Sequence, residues 1–240
     1  MKEEHYFYVP EASEKDELPA TEVVHATRVL RLKEDDTIHL MDGTGTFYEA
    51  QITMASNHHC HYRICASLPQ QKGWQGRITL AIGPTKMMDR MEWMVEKATE
   101  IGFDQITFLR CAHSERTTMR TDRIENIVVS AMKQSRKPFK PIVGEMTSAE
   151  DFLRHHQTGR RFIAHCYPEI EREDLFQTLQ ATPKDEDITL LVGPEGDFSV
   201  EEVNLALQCG YESVTLGEAR LRTETAGLMA VTMAQLTKRN

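Results

Sequence analysis

The apolar pattern of this chain changes once, and that change constrains the fold more than any composition figure. Up to Ala66, apolar residues recur in short alternating runs: Tyr6-Phe7-Tyr8-Val9, Thr37-Ile38-His39-Leu40-Met41, Phe47 to Met54 and His59 to Ala66. A period of two belongs to strands with one buried face, and Asp42-Gly43 between two such runs is a hairpin signal. Thr21 to Leu32, with Val24, Leu30 and Leu32 apolar, reads as a short helix. This first stretch therefore predicts a compact β-barrel. Leu68 to Gly76 breaks the pattern with a proline and two glycines, which sets the expected boundary near residue 72.

Beyond the break, strands and helices alternate. Arg77 to Ile82, Gln105 to Leu109, Arg161 to His165, Ile188 to Val192 and Ser213 to Leu216 read as strands. Met87, Met91, Met94, Val95 and Ala98 lie on one face of a helix, as do Ile124, Ile127, Val128 and Ala131 within Thr121 to Gln134. Ser199-Val200-Glu201-Glu202 is a capping box. The alternation predicts an α/β domain with a mainly parallel sheet over residues 73–240. In its last helix, Thr223 to Leu236, Ala226 to Leu236 leaves almost no polar face. Such a helix must be buried all round, which predicts a homodimer through this domain.

Absences exclude several classes. Met1-Lys2-Glu3-Glu4-His5-Tyr6 lacks the apolar run of a secretory signal, and no stretch approaches a membrane span. Five scattered cysteines without CxxC spacing read as reduced thiols of a cytoplasmic protein. His58-His59-Cys60-His61 matches no zinc spacing, so no metal is assigned. Neither GxGxxG nor GxxxxGK[ST] occurs, which argues against an ordinary Rossmann fold or a P-loop. The net charge of −9 excludes nucleic-acid binding by bulk charge. Within residues 110–140, however, eight lysines and arginines face three acids, a local +5. Residues 1–70 are acidic at −6.

Two glycine turns directly follow strands: Leu191-Val192-Gly193-Pro194-Glu195-Gly196-Asp197, and Leu216-Gly217-Glu218-Ala219-Arg220-Leu221-Arg222-Thr223. Open α/β sheets bind ligands at their carboxyl ends, where glycine lets a ligand approach the backbone. These two turns, with Leu221-Arg222-Thr223-Glu224-Thr225-Ala226, resemble the ribosomal RNA small-subunit methyltransferase E family of the SPOUT class. Asp197 and Glu218-Ala219-Arg220 depart from the usual family pattern. His25-Ala26-Thr27-Arg28-Val29-Leu30-Arg31, Lys86 to Gly102, Ser114-Glu115-Arg116 and Gln134-Ser135-Arg136 extend the resemblance along the chain.

The resemblance implies a PUA-like barrel over residues 1–72 and a SPOUT domain with a C-terminal trefoil knot over residues 73–240. It implies S-adenosylmethionine as cofactor, held by Leu191, Val192, Gly193, Pro194, Glu195, Gly196, Leu216, Gly217, Leu221, Arg222 and Thr223. It implies methylation of N3 of a uridine in 16S rRNA of the small ribosomal subunit. Glu195 is the candidate base, and Arg220 and Arg222 the candidates to stabilise the uracil anion. Arg28, Arg31, Arg116, Gln134 and Arg136 are the expected rRNA contacts. Two other readings compete: an RNA-binding assembly factor of the same fold without turnover, and a small-molecule enzyme that binds phosphate at its glycine turns.

Overall fold

A computed structural model describes residues 4–156 and 158–240 of the chain. Met1-Lys2-Glu3, the start of the run read as lacking a signal, lies outside these residues. The chain divides into two compact units, Met1–Lys72 with Val129–Lys140, and Gly73–Val128 with Pro141–Asn240.

In the first unit, β1 (Tyr6–Tyr8), β2 (Thr37–Met41), β3 (Thr46–Ala55) and β4 (Cys60–Pro69) form one sheet in that order. β1 runs parallel to β2, and the other neighbours are antiparallel. The Asp42-Gly43 turn forms where the hairpin signal stands. Asp42 Oδ1 accepts the N–H groups of Thr44 at 2.7 Å and Thr46 at 3.0 Å, while Gly43 takes φ 77°. Period-two burial places Phe7, Ile38, Leu40, Ala50, Ile52, Cys60 and Tyr62 in one core. The ladder bonds join the four strands in a row, and a helical segment packs its buried residues into the same core. That segment is α1 (Ala20–Val24) continuing as a π-helical turn, His25–Val29. It is shorter than the expected helix, and Val24 points outward while Val23 and Ala26 are buried. A π turn spaces its bonds five residues apart, as in Leu30 N–H to His25 O, so a 3.6-residue period misplaces the face.

The second unit is a seven-stranded sheet with every neighbour parallel. Its strands are β5 (Ile78–Ile82), β6 (Gln105–Arg110), β7 (Ile142–Ser148), β8 (Arg160–Ala164), β9 (Glu173–Asp174), β10 (Ile188–Val192) and β11 (Glu212–Thr215). They lie in the order β7-β6-β5-β10-β8-β11-β9. Its helices are α2 (Met88–Ile101), α4 (Ala149–His155), α5 (Leu175–Gln180), α6 (Val200–Gln208) and α7 (Thr223–Lys238), while α3 (Thr121–Ser135) begins in this unit and ends in the first. β5 and β10 are buried along their whole length, as strands covered on both faces must be. On one side Met91, Met94, Val95 and Ala98 of α2 meet Val231 and Ala234 of α7 over Leu80, Ile82 and Leu190. On the other, Phe152 and Leu153 of α4 meet Val203 and Ala206 of α6 over Ala81, Leu109, Ile163 and Leu191. Each fully buried large side chain contributes about 1.5–3 kcal/mol.

Helix α7 is buried by its own unit on one side only. A Cβ on Gly227 would stand 2.8 Å from Ile82 Cδ1, so the helix sits close against the side chains of β5. On the other side Met229 is 38% exposed and Leu236 48%. The all-round burial expected from the sequence is therefore not reached within this chain. Near the end of α7 the Lys238 ammonium is buried and donates to the carbonyls of Pro183, Lys184 and Glu186.

Candidate active site

Because all strands of the second sheet run the same way, the loops after β5, β10, β8 and β11 emerge side by side at its carboxyl end. The two glycine turns follow β10 and β11. They are not immediate neighbours: β8 lies between those strands, which puts the turns about 10 Å apart by strand spacing. The loop after β8 thus belongs to the site, although the sequence motifs do not mark it.

The first turn is braced from three directions. Asp197 adopts φ 63°, and its N–H closes the turn onto Pro194 O at 2.9 Å. Its carboxylate accepts Phe198 N–H on Oδ1 and Cys166 N–H on Oδ2, each at 2.8 Å. A short polar side chain that binds nearby N–H groups is what makes this left-handed backbone tolerable without glycine. From the β8 loop, Tyr167 Oη donates to Phe198 O at 2.6 Å. From the β5 loop, Gly83 N–H donates to Val192 O at 2.9 Å and Lys86 N–H to Glu195 Oε1 at 2.8 Å. A Cβ on Gly83 would stand 2.6 Å from Pro194 Cδ. From the β6 loop, His113 Nδ1 lies 2.9 Å from Gly196 O. The capping box at the start of α6 closes through Ser199 and Glu202, and Glu202 Oε1 also takes Ala112 N–H at 2.8 Å.

The second turn has few such ties. Gly217 takes φ 115°, and nothing lies within 4 Å of where its Cβ would be. Thr215 Oγ1 donates to Gly217 O at 2.9 Å and accepts Gly217 N–H at 3.3 Å. Gly217, Glu218, Ala219, Arg220 and Arg222 are exposed. Among the described residues, the N–H groups of 218–222 donate no hydrogen bond. Glu224 turns away to Arg90, whose Nη1 is 3.4 Å from Glu224 Oε1.

The β8 loop feels both turns. Burial raises the Cys166 thiol, Asp197 raises it further, and Arg172 and Arg220 oppose the shift. Burial holds His165 below its ordinary value; Arg172 adds to this, and Asp197 and Glu169 oppose it. His165 Nδ1 accepts Tyr167 N–H at 3.2 Å, so the ring proton sits on Nε2, 2.7 Å from Ser213 Oγ. Burial pushes Cys111 up to about 12. Neither cysteine is poised as a thiolate nucleophile.

The expected RNA contacts divide into two kinds. Arg116 holds the β5 loop, with Nε donating to Thr85 O at 3.2 Å and Nη2 to Lys86 O at 2.7 Å. Arg136, at φ 53°, lies 4.9 Å over the Tyr6 ring and 2.9 Å from Glu4. In the same basic run Arg120 pairs with Asp122, Arg123 with Glu92, and Lys133 with both oxygens of the buried Glu22. Arg116, Arg120, Arg123, Lys133 and Arg136 of this run thus meet groups of the chain itself. Arg28, Arg31 and Gln134 are exposed, and Arg31 stands at φ 55°.

A parallel sheet sheathed on both faces, with its ligand end built from four loops and a second unit attached, defines a two-unit α/β protein with a cofactor-type binding edge. Residues 72–235 match the RNA methyltransferase domain, and residues 18–65 match the RNA methyltransferase PUA domain. The chain belongs to the RNA methyltransferase family. It is 39% identical to a probable rRNA-methyltransferase from Porphyromonas gingivalis, with 98% of each chain covered and a TM-score of 0.87. It is 28% identical to a ribosomal RNA small subunit methyltransferase E from Neisseria gonorrhoeae bound to S-adenosyl methionine, with 98% of each covered and a TM-score of 0.79. A Rickettsia conorii protein named ribosomal RNA small subunit methyltransferase E is 27% identical, over 92% of this chain and 90% of its own.

Proposed function

We propose that this protein methylates N3 of a specific uridine in 16S rRNA of the small ribosomal subunit, with S-adenosylmethionine as donor. The observation that carries this reading is the pairing of a braced Gly-Pro-Glu-Gly turn with an exposed glycine turn at one end of the sheet, in a chain of this family. The residues fit the cofactor. Among the described residues the N–H groups of 218–222 have no acceptor, and the space beside Gly217 is open, which suits a ligand recognised through backbone groups. Leu191, Val192, Gly193, Pro194, Glu195 and Gly196 would hold it from one side; Leu216, Gly217, Leu221, Arg222 and Thr223 from the other. When bound, the cofactor supplies an already activated methyl group.

The chain's own task is to place the uracil and manage one proton. Uridine N3 carries a hydrogen and is a poor nucleophile until it leaves. Glu195 Oε1 is held by Lys86 N–H, and in this reading its second oxygen takes the N3 proton. Arg220 and Arg222, exposed on the second turn, would stabilise the charge on the uracil carbonyl oxygens. Arg28, Arg31 and Gln134 would contact rRNA directly, while Arg116 and Arg136 act through the elements they hold.

Three further features complete the reading. β10 lies between β5 and β8, and α7 packs against α2, β5, β10 and α5, an arrangement that supports a C-terminal trefoil knot. The exposed Met229 and Leu236 on α7 support a homodimer through this helix. No described helix is long and apolar enough to cross a membrane, and the reading places the protein in the cytoplasm with its substrate.

The test is methyl transfer from labelled S-adenosylmethionine to small subunits lacking the modification, followed by mass spectrometry of the nucleosides. We expect 3-methyluridine in 16S rRNA; label in another nucleoside, or none, would overturn the substrate assignment. Glu195→Gln keeps an acceptor for Lys86 N–H but removes the base. It should fall about a hundredfold in rate with unchanged cofactor affinity, whereas normal turnover would leave Glu195 only a structural role.

A further inference from the structure

The first unit holds a constellation that the function above does not use. Cys60 opens β4 and is fully buried, whereas His59 just before it is exposed and His61 just after it is half-buried, with their rings side by side. Their rings stack at 6.3 Å with 19° between planes. β4 is the last strand of its sheet, and the segment 16–18 lies antiparallel along its outer edge. Two backbone bonds fix this segment: Tyr62 N–H to Asp16 O at 2.8 Å and Leu18 N–H to Cys60 O at 2.9 Å. Glu17 therefore stands directly opposite His61. Its Oε1 is 2.7 Å from His59 Nδ1 and its Oε2 is 4.0 Å from His61 Nε2. One ligand atom from each of Glu17, His59 and His61 lies within 4.8 Å of the others.

We infer that Glu17, His59 and His61 form a binding site for a divalent transition-metal cation of the zinc, cobalt or nickel type. The bland alternative is a surface His59–Glu17 ion pair. Such a pair needs neither the second imidazole nor the backbone tie that aligns it. Two imidazoles and a carboxylate select zinc-like ions over calcium or magnesium, which prefer all-oxygen sites. Zinc ligands at about 2.0–2.1 Å in a tetrahedron lie roughly 3.3 Å apart. Partly exposed side chains on fixed backbone positions can close to that spacing by small rotations. Three protein ligands leave a position for water, and Asp16 Oδ2, 3.9 Å from His61 Nδ1, adds negative charge beside the site. The sequence assigned no metal to His58-His59-Cys60-His61 because the third ligand comes from a segment about forty residues earlier. A bound ion would pin segment 16–18 to β4 and so cover the open edge of the sheet.

The test uses the full-length chain without a histidine tag, stripped with chelator and titrated with Zn²⁺ by calorimetry and with Co²⁺ by visible absorption. We expect one ion per chain, visible Co²⁺ bands from a nitrogen–oxygen site, and a higher unfolding temperature with zinc. Zinc binding should weaken by about tenfold or more in His59→Ala, His61→Ala and Glu17→Gln, and His58→Ala should bind like the parent. Glu17→Gln keeps an acceptor for His59, so it separates loss of metal from loss of fold. Binding that survives in the His59→Ala/His61→Ala double variant, or no binding by the parent chain, would overturn the inference.

Discussion

The two glycine turns at the carboxyl end of the large sheet look alike in sequence and differ in how they are held. The turn at Gly193–Ser199 receives bonds from the loops after β5, β6 and β8. The turn at Leu216–Arg222 is exposed and bonded chiefly to Thr215. A ligand edge needs both properties. One wall must be rigid enough to set geometry, and the other must keep its donors unpaired so that binding supplies their partners. The braced turn costs stability to change; the open turn costs activity.

The comparison breaks most sharply at Arg222. Arg222→Ala should lower methyl transfer about 10²–10³-fold while leaving the unfolding free energy within about 0.5 kcal/mol, read from a turnover assay beside a denaturant titration. A loss of stability instead would mean that the open turn is also scaffold. Next comes the glycine contrast. Gly83→Ala should destabilise by about 1–3 kcal/mol, because its methyl meets the backbone and ring of Pro194. Gly217→Ala meets no atoms and should cost about 1 kcal/mol through its φ alone. Equal losses in thermal unfolding would erase the distinction. Asp197→Ala removes the acceptor of Cys166 and Phe198 N–H groups and should cost about 1–3 kcal/mol, with weaker cofactor affinity by calorimetry.

The smallest effect is one of pH. His165 in the folded chain sits below its ordinary value of about 6.5, so the unfolded chain binds the proton more readily. Its contribution is complete above that value and lost as pH falls from there towards the folded one. Protonation would also turn Nδ1 into a donor facing Tyr167 N–H. Unfolding temperature should fall from about pH 7.5 to about pH 5.5, and by less in His165→Gln. Equal slopes would move the effect elsewhere, to the similarly depressed His156 first.

Local signals were legible and long-range ones were not. The capping box at Ser199 and Glu202 is written within four residues, and both of its bonds form. The central strands are largely apolar runs, and the helical faces of α2 and α3 follow a 3.6-residue period, except that Met87 lies in extended backbone just before α2 and is exposed rather than on its buried face. β7, α4, β9 and α5 are short or half-polar and leave little periodicity to read. Glu195 and Arg222 stand out in sequence by their motifs. The sequence does not say that Glu195 grips Lys86 from 109 residues away, or that Arg116 clasps the same loop. Nor does it mark the β8 loop, because its role follows from β8 lying between β10 and β11. Val24 was misplaced for a local reason, the π turn beside it.

The position of β10 has a consequence in time. It fills the gap between β5 and β8, yet it is made long after the first of these. At about 5–20 residues per second, the ribosome needs roughly 5–20 seconds to go from Ile82 to Ile188. Throughout that interval β5 has one unpaired apolar edge and β8, once made, lacks its partner on that side. The nascent chain therefore passes through a stage in which its most water-averse strands are its least protected. Its yield in a cell should depend on chaperone supply and on translation speed over this stretch, as well as on the stability of the finished sheet.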